Sequence, residues 1–240
     1  MTKGRTAWQI LTGTNKQLSI ADSIINPLEV RVGSHVTINR SLSDVELTSD
    51  ELWQITEIWA WDRNINGQKY PLTDYIIESD DKRLVIRVVP SHDKKHHILI
   101  MNQYYPDTPG PLSWNDESQF ILDAINDNSG EFYRNRGEEN EEKYWRIGGI
   151  VPIICDVKIL RDQNKDKIVS DNEVQNEPFT LWDFHRVTIK DEVEVTQYLY
   201  LQLSGHYQTL KNGDSRIVDG DKSILMLRGE EIEPAHVTIF

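Results

Sequence analysis

Two segments of the chain carry the same order of features: a Leu-Trp pair that opens an apolar stretch, a turn, and a stretch entered through Thr-x-Tyr. The first segment has Leu52-Trp53, Asn66-Gly67 and Thr73-Asp74-Tyr75, and the second has Leu181-Trp182, Asp191-Glu192 and Thr196-Gln197-Tyr198. Apolar residues that alternate with polar ones between turns are typical of half-buried strands. The sequence therefore predicts a mainly β protein whose antiparallel meanders form a barrel or a sandwich. The two meanders are either related halves of one duplication or similar by chance.

The strand pattern is clearest in two places. The alternating pattern of residues 52–90 predicts three antiparallel strands. Asn66-Gly67 predicts the turn between the first two, because Asn-Gly is the preferred pair for a two-residue hairpin turn. Between Val193 and Leu203 the odd positions are apolar except for Gln197, and Glu194 and Gln202 are polar residues at even positions. Because successive side chains of a strand point to opposite faces, this pattern predicts that the odd apolar residues are buried and that Glu192, Glu194 and Gln202 face solvent.

The chain divides by composition into three ranges. Residues 1–112 predict an N-terminal β half, which ends in the Pro-rich and Gly-rich stretch at 106–111. Residues 113–143 predict one short helix followed by a charged connecting loop, and residues 144–240 predict a C-terminal β half. The two β halves are free to pack together as one domain.

The charge balance excludes several kinds of partner. The chain has 26 Lys and Arg residues against 39 Asp and Glu residues, which gives a formal net charge of −13. A surface this acidic repels phosphate backbones and anionic lipids, so we expect neither a nucleic acid nor a membrane as partner. Cys155 is the single cysteine, so no intramolecular disulfide can form, and its apolar neighbours predict a buried side chain. These features favour a cytoplasmic protein.

Four aromatic residues are the candidate ligand-binding residues. Trp59 and Trp61 share one parity in a predicted strand, and Tyr70 and Tyr75 follow in the same hairpin. If these side chains are exposed, they form a flat platform that suits a sugar ring or an apolar partner. If they are buried, they belong to the core of the sheet.

Residues 162–173 are the candidate metal site. Oxygen donors stand at the spacing of a calcium-binding loop, from Asp162, Asn164, Asp166, the Ile168 carbonyl, Ser170 and Glu173. In this spacing the segment resembles the EF-hand loop, and the resemblance implies calcium as a ligand. Lys167 stands where the loop has glycine, and the flanking residues read as strands, which favours a solvated acidic hairpin loop instead. No cofactor is expected apart from calcium at this loop.

The chain lacks the sequence motifs of nucleophilic catalysis, zinc proteases and nucleotide-binding loops. Carboxylates such as Asp62, Glu78, Asp183 and Glu194 lie on or beside predicted strands, but no spacing joins any two of them. We therefore favour a non-catalytic binding or interaction protein whose partner is a protein or a small ligand. The alternatives are a calcium-supported binder of carbohydrate or another small ligand, and a hydrolase or isomerase whose carboxylates converge in the fold.

Overall fold

The structure of the protein is a computed structural model, which describes most of the chain in segments. The described residues are 5–7, 10, 26–40, 51–65, 67–80, 82–90, 96–103, 112–113, 130–134, 137, 139, 141–147, 152–161, 174–190, 192–209, 211, 215–219 and 223–240. The strands are β1 (Arg5–Thr6), β2 (His35–Ile38), β3 (Trp53–Ile65), β4 (Gln68–Ser79), β5 (Lys82–Pro90), β6 (His96–Gln103), β7 (Leu112–Ser113), β8 (Glu131–Arg134), β9 (Glu142–Arg146), β10 (Ile153–Arg161), β11 (Val174–Lys190), β12 (Val193–Ser204), β13 (His206–Thr209), β14 (Ser215–Val218), β15 (Ser223–Ile232) and β16 (Val237–Ile239). A 3-10 turn, Pro234–His236, precedes β16. The predicted class, a mainly β fold built of antiparallel meanders, is confirmed.

The chain divides into two compact units, each assembled from separated segments. Unit 1 comprises residues 1–102, 156–177 and 231–240, and unit 2 comprises residues 103–155 and 178–230. These ranges differ from the contiguous N-terminal and C-terminal halves predicted from the sequence. The predicted helix between the halves lies outside the described residues.

Unit 1 contains the antiparallel strand order β1–β16–β2–β3–β4–β5–β6. The predicted meander of residues 52–90 is confirmed as β3, β4 and β5. The two-residue turn is confirmed in position, because Ile65 pairs with Gln68 across it and Gly67 has a φ of +80°. Side chains from β2 to β6 and from β16 form one apolar core, which includes Val36, Trp53, Ile55, Ile58, Tyr75, Ile86, Ile100 and Val237.

Unit 2 contains the antiparallel order β8–β9–β11–β12–β15–β7, and β13 and β14 form a separate hairpin. Its core lies on one face of these strands and includes Phe132, Tyr144, Trp182, Phe184, Leu199, Leu201, Leu203, Tyr207, Ile224 and Met226. Trp53 and Trp182 thus lie on the first strand of a three-stranded antiparallel set in each unit. The duplication itself stays a prediction. Cys155 is buried and carries a free thiol, as predicted.

The solvent exposure of β12 differs in part from its alternating pattern. Leu199, Leu201 and Leu203 are buried as predicted, whereas Val193 is exposed and Gln202 is buried. Val193 lies at the turn end of the strand, beyond Gln197, where pairing with β15 ends. Gln202 lies on the opposite face, which is covered at this end of the strand, since its neighbour Tyr200 on that face is buried as well. Alternation therefore predicts the orientation of these side chains but not which face is covered.

Residues 131–134 and 142–143, part of the predicted connecting loop, are strand residues in β8 and β9. Phe132 and Tyr144 are opposite each other in register and point into the core of unit 2. On the other face of this strand pair, Lys143 contacts the carboxylate of Glu131. Part of the charge of this segment therefore belongs to the outer face of a strand pair.

Candidate functional site

A β-bulge in β3 decides where the predicted aromatic residues lie. The register between β3 and β4 shifts between Ile55 and Glu57, so one extra residue enters β3. Such an insertion moves every following side chain to the other face. Ile58 therefore faces the core of unit 1 with Trp53 and Ile55, although its parity differs from theirs. Trp59 and Trp61 point to the opposite face.

The four predicted ligand-binding residues divide between the two faces of the β3–β4 hairpin. Trp59, Trp61 and Tyr70 share one face, since Tyr70 pairs with Arg63, two residues beyond Trp61. Tyr75 pairs with Ile58 and belongs to the core on the other face. Trp59, Trp61 and Tyr75 are buried, so they do not form an exposed platform in the described structure. Ligand binding at these residues stays a prediction.

The face that carries Trp61 also holds a buried ion pair. Arg87 donates two hydrogen bonds to Asp74, from Nε to Oδ1 at 2.7 Å and from Nη2 to Oδ2 at 2.6 Å. Trp61 Nε1 donates a third hydrogen bond to Asp74 Oδ2 at 2.9 Å, and the guanidinium lies 5.5 Å from the centroid of the indole. The side chains of Arg87 and Asp74 are 0% and 1% exposed. Three hydrogen bonds therefore hold the Asp74 carboxylate in one orientation. This makes the ion pair a structural feature of the sheet.

Trp59 is held in a similar way. Its Nε1 donates to Glu57 Oε2 at 2.6 Å, and Glu57 Oε1 lies 3.1 Å from Nε of Arg161. The guanidinium of Arg161 lies 6.0 Å from the Trp59 ring centroid, and the rings of Trp59 and Trp61 are 6.1 Å apart. The two indoles therefore pack against each other and against arginines of the same unit.

Tyr75 is fixed by polar contacts with the segment that precedes β2. Its hydroxyl donates to Asn26 Oδ1 at 2.8 Å and accepts a hydrogen bond from the Leu28 backbone N–H at 3.1 Å. Burial raises the pKa of the Tyr75 hydroxyl far above its ordinary value, with a smaller opposing effect from the Leu28 N–H. Tyr75 thus connects residues 26–28 to the core of unit 1.

The predicted calcium ligands Asp162, Asn164, Asp166, Ile168, Ser170 and Glu173 lie outside the described residues. Within the part of the chain that is described, no group of three or more His, Cys, Asp or Glu side chains is arranged to hold a metal ion. Calcium binding at residues 162–173 stays a prediction.

The carboxylates considered for catalysis do not meet within either unit. In unit 1, Asp62 pairs opposite Pro71 and contacts Lys69, whereas Glu78 lies opposite Gln54 near the other end of the hairpin. In unit 2, Asp183 is buried opposite Tyr200, and Glu194 is exposed near the turn. These four carboxylates therefore give no support within either unit to the hydrolase or isomerase alternative.

Unit 2 contains a polar network that the sequence did not reveal. Arg186 Nη2 lies 2.7 Å from Glu142 Oε1, and Arg228 Nη1 lies 3.4 Å from Glu142 Oε2. Arg186 Nε donates to Gln197 Oε1 at 2.7 Å, and Gln197 Nε2 donates to Glu230 Oε1 at 3.4 Å. We call these five residues the base network. It joins β9, β11, β12 and β15 through side chains as well as through the backbone.

Tyr144 lies against the base network and connects it to the core. The guanidinium of Arg186 lies 5.0 Å from the centroid of the Tyr144 ring. Burial raises the pKa of the Tyr144 hydroxyl, and the charge of Arg186 opposes this rise. The base network therefore borders the apolar core of unit 2 at the place where the β11–β12 hairpin leaves its neighbouring strands.

Beyond the base network, the β11–β12 hairpin continues toward its turn. Pairing of β11 with β9 ends at His185, and pairing of β12 with β15 ends at Gln197. The hairpin then continues from the pair Val187–Thr196 to the pair Lys190–Val193. We call residues 187–190 and 192–196 the hairpin tip.

The hairpin tip exposes three large apolar side chains. Val187 and Val193 are each 61% exposed and Ile189 is 73% exposed. Val187 and Ile189 share one face of the ribbon, and Val193 lies on the other. Glu192 and Glu194 are exposed beside them. Large exposed apolar side chains that are grouped on one short segment make that segment a candidate interaction site.

These features define the class of the protein: an antiparallel β protein with a buried ion pair in unit 1, a partly buried polar network in unit 2 and a hairpin tip in unit 2 that exposes apolar side chains. None of the described residues forms a helix long and apolar enough to cross a membrane. Comparison of the chain with protein-family models, with curated proteins and with solved structures finds no match in any of the three.

Proposed function

We propose that this protein is a non-catalytic interaction protein of the cytoplasm that binds a partner protein through the hairpin tip. The exposure of Val187, Ile189 and Val193 is the observation that carries this proposal. These three β-branched residues are mostly exposed and contribute little to the packing of unit 2. β-branched side chains favour the extended ribbon that presents them. Their burial against a partner would release ordered water and stabilise the complex.

The base network supports the proposal, because it fixes the root of the hairpin. Arg186 immediately precedes Val187 in the chain, and Gln197 immediately follows Thr196. Both are tied to Glu142 or Glu230 by hydrogen bonds or ion pairs. A tip with a fixed root loses less conformational entropy on binding than a mobile loop does.

The charge of the hairpin tip indicates which kind of partner it can bind. The tip has exposed Glu192 and Glu194 against one lysine, Lys190, and the whole chain carries −13. A second copy of the chain would bring like charges together, which costs free energy. We therefore expect an extended or hairpin segment whose surface combines apolar side chains with Lys or Arg.

The test compares proteins retained by the immobilised wild-type chain with those retained by the Ile189→Asp/Val193→Asp variant. Leu52→Asp is the matched control, since Leu52 is another exposed apolar residue but lies in unit 1. A retained partner is then purified, and its affinity for all three chains is measured by calorimetry. We expect the wild type and the control to bind equally and the tip variant to bind at least tenfold more weakly, with affinity falling as salt rises.

Equal affinity of the tip variant and the wild type for every purified partner would refute the proposal. Self-association of the wild type in sedimentation experiments, lost in the tip variant, would refute the charge argument and identify a second copy as the partner. Circular dichroism of the tip variant shows whether its fold is retained, and we expect no change because the substituted side chains are exposed.

A further inference from the structure

Four side chains of β8 and β9 form a rectangle on the outer face of unit 2. Glu131 pairs opposite Trp145, and Tyr133 pairs opposite Lys143. Residues that are opposite each other, or two apart along one strand, point to the same face of a sheet. Glu131, Tyr133, Lys143 and Trp145 therefore converge on one surface, away from Phe132 and Tyr144, which point into the core.

The ammonium group of Lys143 lies inside this rectangle. Its Nζ is 3.9 Å from the centroid of the Trp145 ring and 5.2 Å from that of Tyr133. It is also 2.7 Å from Glu131 Oε1. The hydroxyl of Tyr133 donates to the other carboxylate oxygen, Oε2, at 2.5 Å. Hydrogen bonding to Glu131 raises the pKa of the Lys143 ammonium, with a smaller rise from its hydrogen bond to Tyr133.

This arrangement has the chemistry of a site for organic cations. Ring faces carry negative electrostatic potential and attract ammonium groups within about 6 Å of the centroid, and a carboxylate adds a full charge. An ordinary surface ion pair has no aromatic walls, whereas this one has two. The Trp145 residue is 47% exposed, so the rectangle is open to solvent.

We propose that Glu131, Tyr133 and Trp145 form a binding site for organic ammonium ions, such as a choline-type or methylated-lysine head group, and that Lys143 fills this site in the free protein. This proposal does not depend on the function proposed for the hairpin tip. Lys143 is tethered to β9, so its ammonium is present at a high effective concentration and an external cation must displace it. A quaternary ammonium can replace the lysine at the ring faces, where attraction does not need a hydrogen bond.

The experiment measures binding of tetramethylammonium chloride by proton NMR, from saturation transfer to its methyl groups and from shifts of tryptophan indole signals. The full chain is used as wild type, Lys143→Ala, Lys143→Gln and the double variant Lys143→Ala/Trp145→Ala. Lys69→Ala is the matched control, because Lys69 also pairs with a carboxylate on an exposed surface. Sodium chloride at equal ionic strength and tert-butanol, a neutral molecule of similar shape, control for charge screening and for apolar binding.

We expect Lys143→Ala to bind tetramethylammonium at least tenfold more tightly than the wild type, the Lys69→Ala control to match the wild type, and the double variant to lose binding. Lys143→Gln removes the charge but keeps a long side chain, and it tests the site should Lys143→Ala fail to fold. Three outcomes would overturn the proposal: no binding to either Lys143 variant, equal binding with and without Trp145, or equal binding of tert-butanol. If the wild type and Lys143→Ala bind tetramethylammonium equally tightly, the proposal that Lys143 occupies the site is wrong.

Discussion

Removal of one partner from the buried Asp74–Arg87 pair should destabilise the protein far more than removal of both. In Arg87→Met, the Asp74 carboxylate stays 1% exposed but loses two hydrogen bonds from the guanidinium. An uncompensated buried charge of this kind costs about 3–5 kcal/mol of unfolding free energy. Asp74→Leu leaves the Arg87 charge buried in the same way, so we expect a loss of about 3–5 kcal/mol there as well.

The double variant Asp74→Leu/Arg87→Met removes both charges and leaves Trp61 Nε1 without its carboxylate acceptor. A buried donor without a partner costs about 1–3 kcal/mol. Replacement of a buried ion pair by apolar side chains is otherwise close to neutral. We therefore expect the double variant to lose less than about 3 kcal/mol, against about 6–10 kcal/mol for the sum of the single variants.

Urea unfolding, followed by tryptophan fluorescence and circular dichroism, measures these differences. Lys69→Met is the control on the same hairpin, since it breaks the exposed pair with Asp62 and should cost far less unfolding free energy than Arg87→Met. A loss in Arg87→Met as small as that of the control would refute the reasoning, because it would mean that water solvates Asp74. Additive losses in the double variant would show that the two charges do not depend on each other.

Three further predictions test other parts of the structure. Leu201→Ala should lower the unfolding free energy by about 2–5 kcal/mol and Val193→Ala by at most about 0.5 kcal/mol, and equal losses in urea titrations would contradict the assigned positions on β12. Burial raises the pKa of the Tyr75 hydroxyl, so above pH of about 10 the unfolded chain loses a proton that the folded chain keeps. Stability of the wild type should therefore fall as the pH rises through that range, with a shallower fall for Tyr75→Phe; parallel pH profiles would contradict this. Arg186→Met should cost about 1–3 kcal/mol in thermal unfolding, because Glu142 loses a charged partner at 2.7 Å, and a loss within experimental error would mean that the base network is not stabilising.

Local patterns were sufficient to predict the central meander of unit 1. Period-two alternation and the Asn66-Gly67 pair predicted β3, β4 and β5, because both signals depend on residues close in the chain. The faces of these strands were not predictable in the same way. The bulge near Ile55 and Glu57 carries no glycine or proline to mark it, so parity suggested that Trp59 and Trp61 share a face with Trp53.

The polar features of unit 2 depend on contacts between residues far apart in the chain. Glu142 and Arg228 are separated by 86 residues, and no local pattern relates them. The charges of residues 131–143 suggested a loop, because a strand pair with one buried and one charged face is hard to recognise when its strands are short. The exposed hairpin tip did have a signal, since Val187, Ile189 and Val193 flank an acidic turn, but its alternation resembles that of a buried strand.

The pairing of β16 with β1 and β2 has a consequence for the order of folding during synthesis. Val237 pairs with Ile38, and Ile239 pairs with both Val36 and Arg5. The meander from β3 to β6 is local in the chain and can form early, because its loops are short and close rapidly. The free edge of β2 must instead wait until nearly two hundred further residues have been translated. Until then the nascent chain presents an incomplete sheet, and we expect this interval to be the one in which it most needs a chaperone.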